Sequence, residues 1–69
     1  METQLGARIK ARRIEAGLSL ADLGKAMDPP RPKQVIHRWE SGQAPGVFAL
    51  AQLAKILDVT VDDLLGANQ

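Results

Sequence analysis

A cluster of prolines in the first half of this chain fixes where its helices must break. The segment Asp28-Pro29-Pro30-Arg31-Pro32 cannot continue a helix, because each proline lacks an amide donor and clashes with the preceding turn. Pro32 suits the first position of a new helix, where no amide donor is needed. The segment therefore predicts a stiff turn that sets a large angle between two helices.

Helical signals fill the rest of the chain, and no alternating β-branched run, internal repeat or low-complexity segment appears. Ser19 and Thr60 are typical N-cap residues, and each is followed three residues later by an aspartate, as in a capping box. The predicted fold class is all-α, a compact five-helix bundle in one domain over residues 1–69, with a helix-turn-helix around the prolines. The predicted helices cover about residues 3–16, 19–27, 32–41, 47–57 and 61–65.

Apolar residues at helical spacing predict the buried side of each helix. In the fourth helix the expected inner stripe is Val47, Leu50, Leu53, Ala54 and Leu57. Phe48 and the Leu64-Leu65 pair fit either the core or a dimer seam. Gly24, within the second helix, costs about 1 kcal/mol relative to alanine. It marks either a tolerated weak spot or a place where another helix backbone passes close.

Composition excludes several classes of function. The 69 residues include no Cys, a single His and two Ser, so no thiolate metal site, catalytic triad or multi-ligand metal cluster can be assembled convincingly. We therefore expect no enzyme, cofactor, metal or small-molecule substrate. The longest apolar stretches fall far short of the ~20 residues that span a bilayer, and the N-terminus has no signal-peptide pattern. A soluble cytoplasmic protein without a membrane partner is expected.

Charge is unevenly distributed, although the net charge is only +1. Residues 1–40 hold eight of the nine Lys and Arg residues against five acids, whereas residues 41–69 hold Lys55 against three aspartates. The basic half is compatible with a nucleic-acid partner. It fits equally a solvated surface whose asymmetry is due to chance.

The segment after the prolines forms a predicted helix with two chemically different faces. At roughly 100° per residue, an arc of roughly 140° holds Lys33, Gln34, His37, Arg38 and Ser41. Val35, Ile36 and Trp39 fall opposite, within about 100°. The apolar face suits a core, and the polar face carries side chains that hydrogen-bond base edges and reach phosphates. The same polar residues also fit a plain solvated face.

Four segments of the chain follow one another in an order typical of a known family. They are GARIKARR at residues 6–13 with GLS at 17–19, LADLG at 20–24, IHRWESG at 36–42, and LAKILDVTVDDLL at 53–65. Together they resemble the phage-repressor and Cro-type helix-turn-helix domains of XRE-like transcriptional regulators. The resemblance implies a bacterial or phage-encoded protein that binds double-stranded DNA sequence-specifically and regulates transcription. It is expected to be a repressor and to act as a homodimer on a two-fold-related operator.

The resemblance also implies roles for individual residues. The third helix is the implied recognition helix, and its base-reading residues are Lys33, Gln34, His37 and Arg38. Phosphate contacts are implied for the amide ends of helices 2 and 4 and for the side chains of Arg12, Ser19, Arg31, Ser41 and Gln43. Arg13 and Glu40 match a partly buried ion pair of the family, which ties the first helix to the end of the third.

The sequence departs from the family pattern at several positions. The turn before the third helix is longer and contains prolines where a glycine is usual, Leu20 replaces a polar residue that commonly contacts phosphate, and residues 43–46 lack the usual Lys or Arg. Fewer phosphate contacts predict modest non-specific affinity with a shallow salt dependence. This favours the alternative of a protein-interaction module on the same fold, such as an antitoxin or a repressor partner. The chain also fits the excised N-terminal domain of a longer repressor.

Overall fold

The computed structural model describes residues 3–66 as five α-helices, with no strand in that range. The helices are α1 (Thr3–Glu15), α2 (Leu20–Ala26), α3 (Lys33–Glu40), α4 (Val47–Ile56) and α5 (Val61–Leu65). The prediction of an all-α, five-helix fold is confirmed. The predicted ranges run at most one residue too long at either end, because they include the half-helical residues that cap the helices.

Pro32 is the N-cap of α3 and not its first helical residue, so that prediction was wrong. Its φ of −67° would suit a helix, but its ψ of 156° is extended. The proline ring fixes φ alone and leaves ψ free. The Pro32 carbonyl oxygen accepts a hydrogen bond from the Val35 amide at 3.0 Å, and α3 begins at Lys33 without a side-chain cap.

The two predicted capping boxes begin α2 and α5. Ser19 Oγ accepts a hydrogen bond from the Asp22 amide at 3.0 Å, and the Ser19 amide donates to Asp22 Oδ2 at 3.1 Å. Thr60 and Asp63 repeat the arrangement at 3.0 and 3.2 Å. A cap of this kind contributes about 1 kcal/mol. That contribution matters for α5, whose five residues are too few to form an isolated helix.

Each of the five helices contributes one fully buried side chain to the hydrophobic core. In chain order these are Ile9, Leu23, Ile36, Leu53 and Leu64. Each such burial stabilises the fold by roughly 1.5–3 kcal/mol. Leu64 therefore belongs to the core, whereas its neighbour Leu65 is exposed.

The first two residues of α4 do not face the core. Val47 is 81% exposed and Phe48 is 85% exposed, whereas Ala49 is buried. The placement of Val47 on the inner stripe was therefore wrong. Helical periodicity gives the direction of a side chain around the helix axis, but it does not show whether a neighbouring helix reaches that turn.

Two glycines lie where a helix approaches another backbone segment very closely. A Cβ atom at Gly6 would lie 2.7 Å from the Glu40 carbonyl carbon and 2.8 Å from the Trp39 carbonyl oxygen, so α1 crosses the end of α3 in close contact. A Cβ atom at Gly24 would overlap the Arg31 carbonyl oxygen. The backbone that passes Gly24 therefore belongs to the proline-rich turn and not to another helix, which corrects the expectation from sequence.

Gly6→Ala is expected to lower the free energy of unfolding by about 1–3 kcal/mol, because the new Cβ atom must displace backbone atoms of α3. Helix propensity alone predicts the opposite sign, a gain of about 1 kcal/mol. Urea unfolding followed by circular dichroism measures the difference. Ala7→Gly, at an exposed position of the same helix, is the matched control and should lose about 1 kcal/mol. A Gly6→Ala variant more stable than the parent protein would contradict the close crossing of α1 and α3.

Candidate nucleic-acid interface

One side of α3 is exposed and polar, whereas the other side is buried. Ile36 is fully buried and Trp39 is 7% exposed. An open concavity of about 420 Å³ on the exposed side is lined by Leu20 of α2 and by Lys33, Gln34, His37 and Arg38. The structure thus brings all four residues predicted to read bases onto one surface, and it buries Ile36 and Trp39, from the predicted apolar face, behind them.

The polar side chains of this surface are available to an external partner. Within residues 3–66, none of the four makes a side-chain hydrogen bond or an ion pair. Gln34 offers an amide with donors and an acceptor, and Arg38 offers a planar fork of five donors. Each of these groups can form two hydrogen bonds at once with the edge of a single base.

The turn before α3 is held by Gln52, a residue that no sequence pattern assigned to the site. Gln52 Nε2 donates to the Asp28 carbonyl oxygen at 2.8 Å, and Gln52 Oε1 accepts from the Asp28 amide at 2.8 Å. The Arg31 amide donates to the Gly24 carbonyl oxygen at 2.8 Å. One feature of the sequence could have drawn attention to Gln52, which is the only polar residue among the first eight of α4.

The far end of α3 is tied to α1 by a partly buried ion pair. Arg13 Nε lies 2.7 Å from Glu40 Oε2, and Arg13 Nη2 donates to Glu40 Oε1 at 3.3 Å. The two side chains are only 12% and 6% exposed. Arg13 Nη1 also donates to the Leu18 carbonyl oxygen at 2.9 Å. The guanidinium group therefore joins α1, the connection to α2 and the end of α3.

The side chains expected to contact phosphate differ in their exposure and in the hydrogen bonds and ion pairs that they already make. Ser41 Oγ donates to the His37 carbonyl oxygen at 2.8 Å, and Ser19 Oγ is the N-cap of α2. Arg12 lies 3.3 Å from Glu15 in an exposed ion pair, which is weak enough to be exchanged for a phosphate. Gln43 is exposed. Arg31 is half-buried, and its Nε atom has no hydrogen-bond partner among residues 3–66.

The two helix ends expected to receive phosphate are also unlike each other. At α2 the Asp22 carboxylate already accepts the Ser19 amide, and this hydrogen bond, with that from the Ser19 side chain, holds the pKa of Asp22 below its ordinary value of 3.8. A carboxylate that is ionised at neutral pH repels a phosphate there. At α4 the N-cap is Gly46, and no side chain caps the helix. The α4 end is the more open of the two.

The part of the chain that the structure describes offers few other candidate sites. Within residues 3–66, no group of three or more His, Asp or Glu side chains is arranged to bind a metal ion. None of the described helices combines the length and the apolar character needed to cross a membrane. The exposed side of α3 and its surroundings are therefore the strongest candidate site.

Comparison with known protein families gives a match. The model of a protein family described as a helix-turn-helix domain matches residues 4–65. This range contains α2 to α5 entirely and all of α1 except Thr3. The comparisons with curated proteins and with solved structures give no match.

Proposed function

Because the chain belongs to the helix-turn-helix domain family, in its XRE/Cro-like group, we propose that it binds double-stranded DNA sequence-specifically and represses transcription. Membership of this family indicates a DNA-binding regulator in general. The observation that carries the more specific proposal is the exposed face of α3, where four hydrogen-bonding side chains share one surface.

In the proposed complex α3 lies in the major groove, which is wide enough to admit an α-helix. Gln34 pairs with adenine through its amide, and Arg38 or Lys33 pairs with guanine O6 and N7. His37 lines the same surface. Leu20 adds an apolar contact at the edge of this surface, of the kind that suits a thymine methyl group.

Phosphate contacts in this proposal come from Arg12, Arg31 and Gln43 and from the N-terminus of α4, with the capping hydroxyls of Ser19 and Ser41 in a minor role. Only two of these proposed contacts, Arg12 and Arg31, are cations, and the net charge of the chain is +1. Since the salt dependence of binding scales with the number of phosphates neutralised, its slope is expected to be shallow. Sequence preference then depends mainly on the α3 face.

The protein is further proposed to act as a homodimer on an operator with two-fold symmetry, in the cytoplasm of a bacterium or of the host of a phage. Two copies of α3 would then enter the major groove one helical turn apart, roughly 34–36 Å along the duplex. Each half-site would be read by the same four side chains, so the operator would be a near-palindrome.

The double variant Gln34→Ala/Arg38→Ala is expected to lose at least about 30-fold in discrimination between the preferred site and random duplex, because each base pairing of this kind contributes 1–3 kcal/mol. The preferred site is first selected from a random duplex pool with the parent protein. Fluorescence anisotropy with both duplexes then measures discrimination. Gln4→Ala/Lys55→Ala, which removes the same kinds of group from α1 and α4, is the control and should retain the preference. Undiminished discrimination in the first variant would exclude α3 as the reading helix.

A second candidate is a protein-interaction module on the same fold, such as an antitoxin or a repressor partner. The ionised Asp22 at the start of α2 and the low net charge favour it, because both weaken phosphate binding. A titration with random duplex at low salt separates the two functions. The first function requires measurable binding there, and the second does not.

A further inference from the structure

The proline-rich turn has very few backbone amides, and all of them are used. Of residues 28–32, only Asp28 and Arg31 carry an N–H group, since the other three residues are prolines. The Asp28 amide donates to Gln52 in α4, and the Arg31 amide donates to Gly24 in α2. The turn is therefore fixed at one end by a side chain of α4 and at the other by the backbone of α2.

Gln52 engages Asp28 with a donor and an acceptor at once. Both hydrogen bonds measure 2.8 Å and join positions that are 24 residues apart. A single hydrogen bond would permit rotation about its axis, whereas two bonds to one peptide segment fix both its distance and its orientation. Gln52 thereby sets where the chain leaves α2 relative to α4.

A displacement at Asp28 would be passed on to α3. Proline fixes φ near −65°, and a residue before proline is confined to extended conformations. The segment between Asp28 and Lys33 therefore has little freedom to absorb a change at its start. Lys33 and Gln34 follow this segment directly and begin the exposed face of α3.

We propose that Gln52 is a positioning residue for sequence recognition, acting through its two hydrogen bonds to the Asp28 backbone to set the placement of Lys33 and Gln34. This inference rests on the function proposed above. Gln52 itself lies on α4, in a different concavity of the surface, lined by Ala26, Asp28, Gln52, Lys55 and Ile56. Its effect on recognition is therefore indirect and does not require contact with DNA.

Gln52→Met tests the proposal, because methionine matches glutamine in length and helix propensity and makes neither hydrogen bond. The variant is expected to keep its affinity for random duplex within about twofold and to lose about tenfold in affinity for the selected site, the value of one base contact. Selection from a random pool should show a broader preference at the bases read by the start of α3 and an unchanged preference at the others. Gln4→Met, at an exposed position of α1, is the control and should change neither.

A purely structural role for Gln52 would lower stability without changing which bases are preferred, and that result would overturn the proposal. Gln52→Glu keeps the acceptor for the Asp28 amide and sets a second oxygen against the Asp28 carbonyl oxygen, which repels it, so it should also broaden the preference at the same bases. It also provides a measurement if Gln52→Met folds poorly.

Residual dipolar couplings of backbone amides in the free protein separate this inference from the proposed function. In Gln52→Met the couplings at Lys33 and Gln34 should change relative to those of α4, and exchange of the Asp28 amide should accelerate. Unchanged couplings would overturn the positioning role whether or not DNA binds. Changed couplings, together with a parent protein that selects no sequence, would support the positioning of α3 and reject the proposed function.

Discussion

Glu40→Ala is expected to lower the free energy of unfolding by about 3–5 kcal/mol, because it leaves the largely buried Arg13 guanidinium without its counter-charge. Both hydrogen bonds from Arg13 to the carboxylate are lost, and only the bond to the Leu18 carbonyl oxygen remains. A domain of this length has a total stability of roughly 3–10 kcal/mol. The variant should therefore lose a large part of its stability and unfold at a clearly lower temperature, as thermal unfolding followed by circular dichroism would show.

The chain provides a matched control for Glu40→Ala. Arg12 and Glu15 form an ion pair with side chains 43% and 66% exposed, and Glu15→Ala should change stability by less than about 1 kcal/mol. The double variant Arg13→Met/Glu40→Leu removes both buried charges and should be less destabilised than Glu40→Ala alone. Equal costs for Glu40→Ala and Glu15→Ala would show that Arg13 and Glu40 do not form a buried pair in solution.

Trp39→Ala is expected to destabilise the protein by about 3–5 kcal/mol, because a nearly buried indole would leave a cavity beneath α3. The loss of stability should affect α3 most directly, since Trp39 lies on that helix behind the exposed face that forms the candidate site. Trp39 is the only tryptophan of the chain, so unfolding must be followed by circular dichroism rather than by fluorescence. Trp39→Phe keeps most of the apolar volume and should lose less.

The control for Trp39→Ala is another large aromatic residue in a different environment. Phe48 is 85% exposed, and Phe48→Ala should stay within about 0.5 kcal/mol of the parent protein. A cost for Phe48→Ala close to that for Trp39→Ala would mean that Phe48 is covered in solution. Measuring the unfolding of the parent protein at two protein concentrations would then test whether a second copy covers Phe48.

Local chemistry made much of the helical framework predictable. Ser19 and Thr60 each satisfy an amide three residues away, and the prolines exclude a helix whatever surrounds them. The helical repeat also sorted α3 correctly, with Ile36 and Trp39 buried and Gln34 exposed. These outcomes depend on residues a few positions apart, which is the range over which sequence patterns carry information.

Contacts between distant segments were not predictable in this way. The bond between Gln52 and Asp28 joins positions 24 residues apart, and a glutamine at a helical position gives no indication of its partner. Val47 occupies an inner position of the helical repeat but lies beyond the part of α4 that is buried. A glycine at position 24 was compatible with a close approach of another helix, but the sequence did not show that the approaching backbone was the turn at Arg31. Each of these features depends on how the helices are arranged in space.

The exposed side chains of α3 have no hydrogen-bond or ion-pair partner among the residues that the structure describes, and this has an evolutionary consequence. Residues that hold the helix, such as Ile36, Trp39 and Glu40, alternate with residues whose side chains make no hydrogen bond or ion pair within residues 3–66. Substitutions at Lys33, Gln34, His37 and Arg38 should therefore accumulate with little penalty to folding, since exposed positions without such contacts tolerate most changes. New sequence preferences can then arise on an unaltered scaffold, and a library randomised at these four positions should remain largely folded.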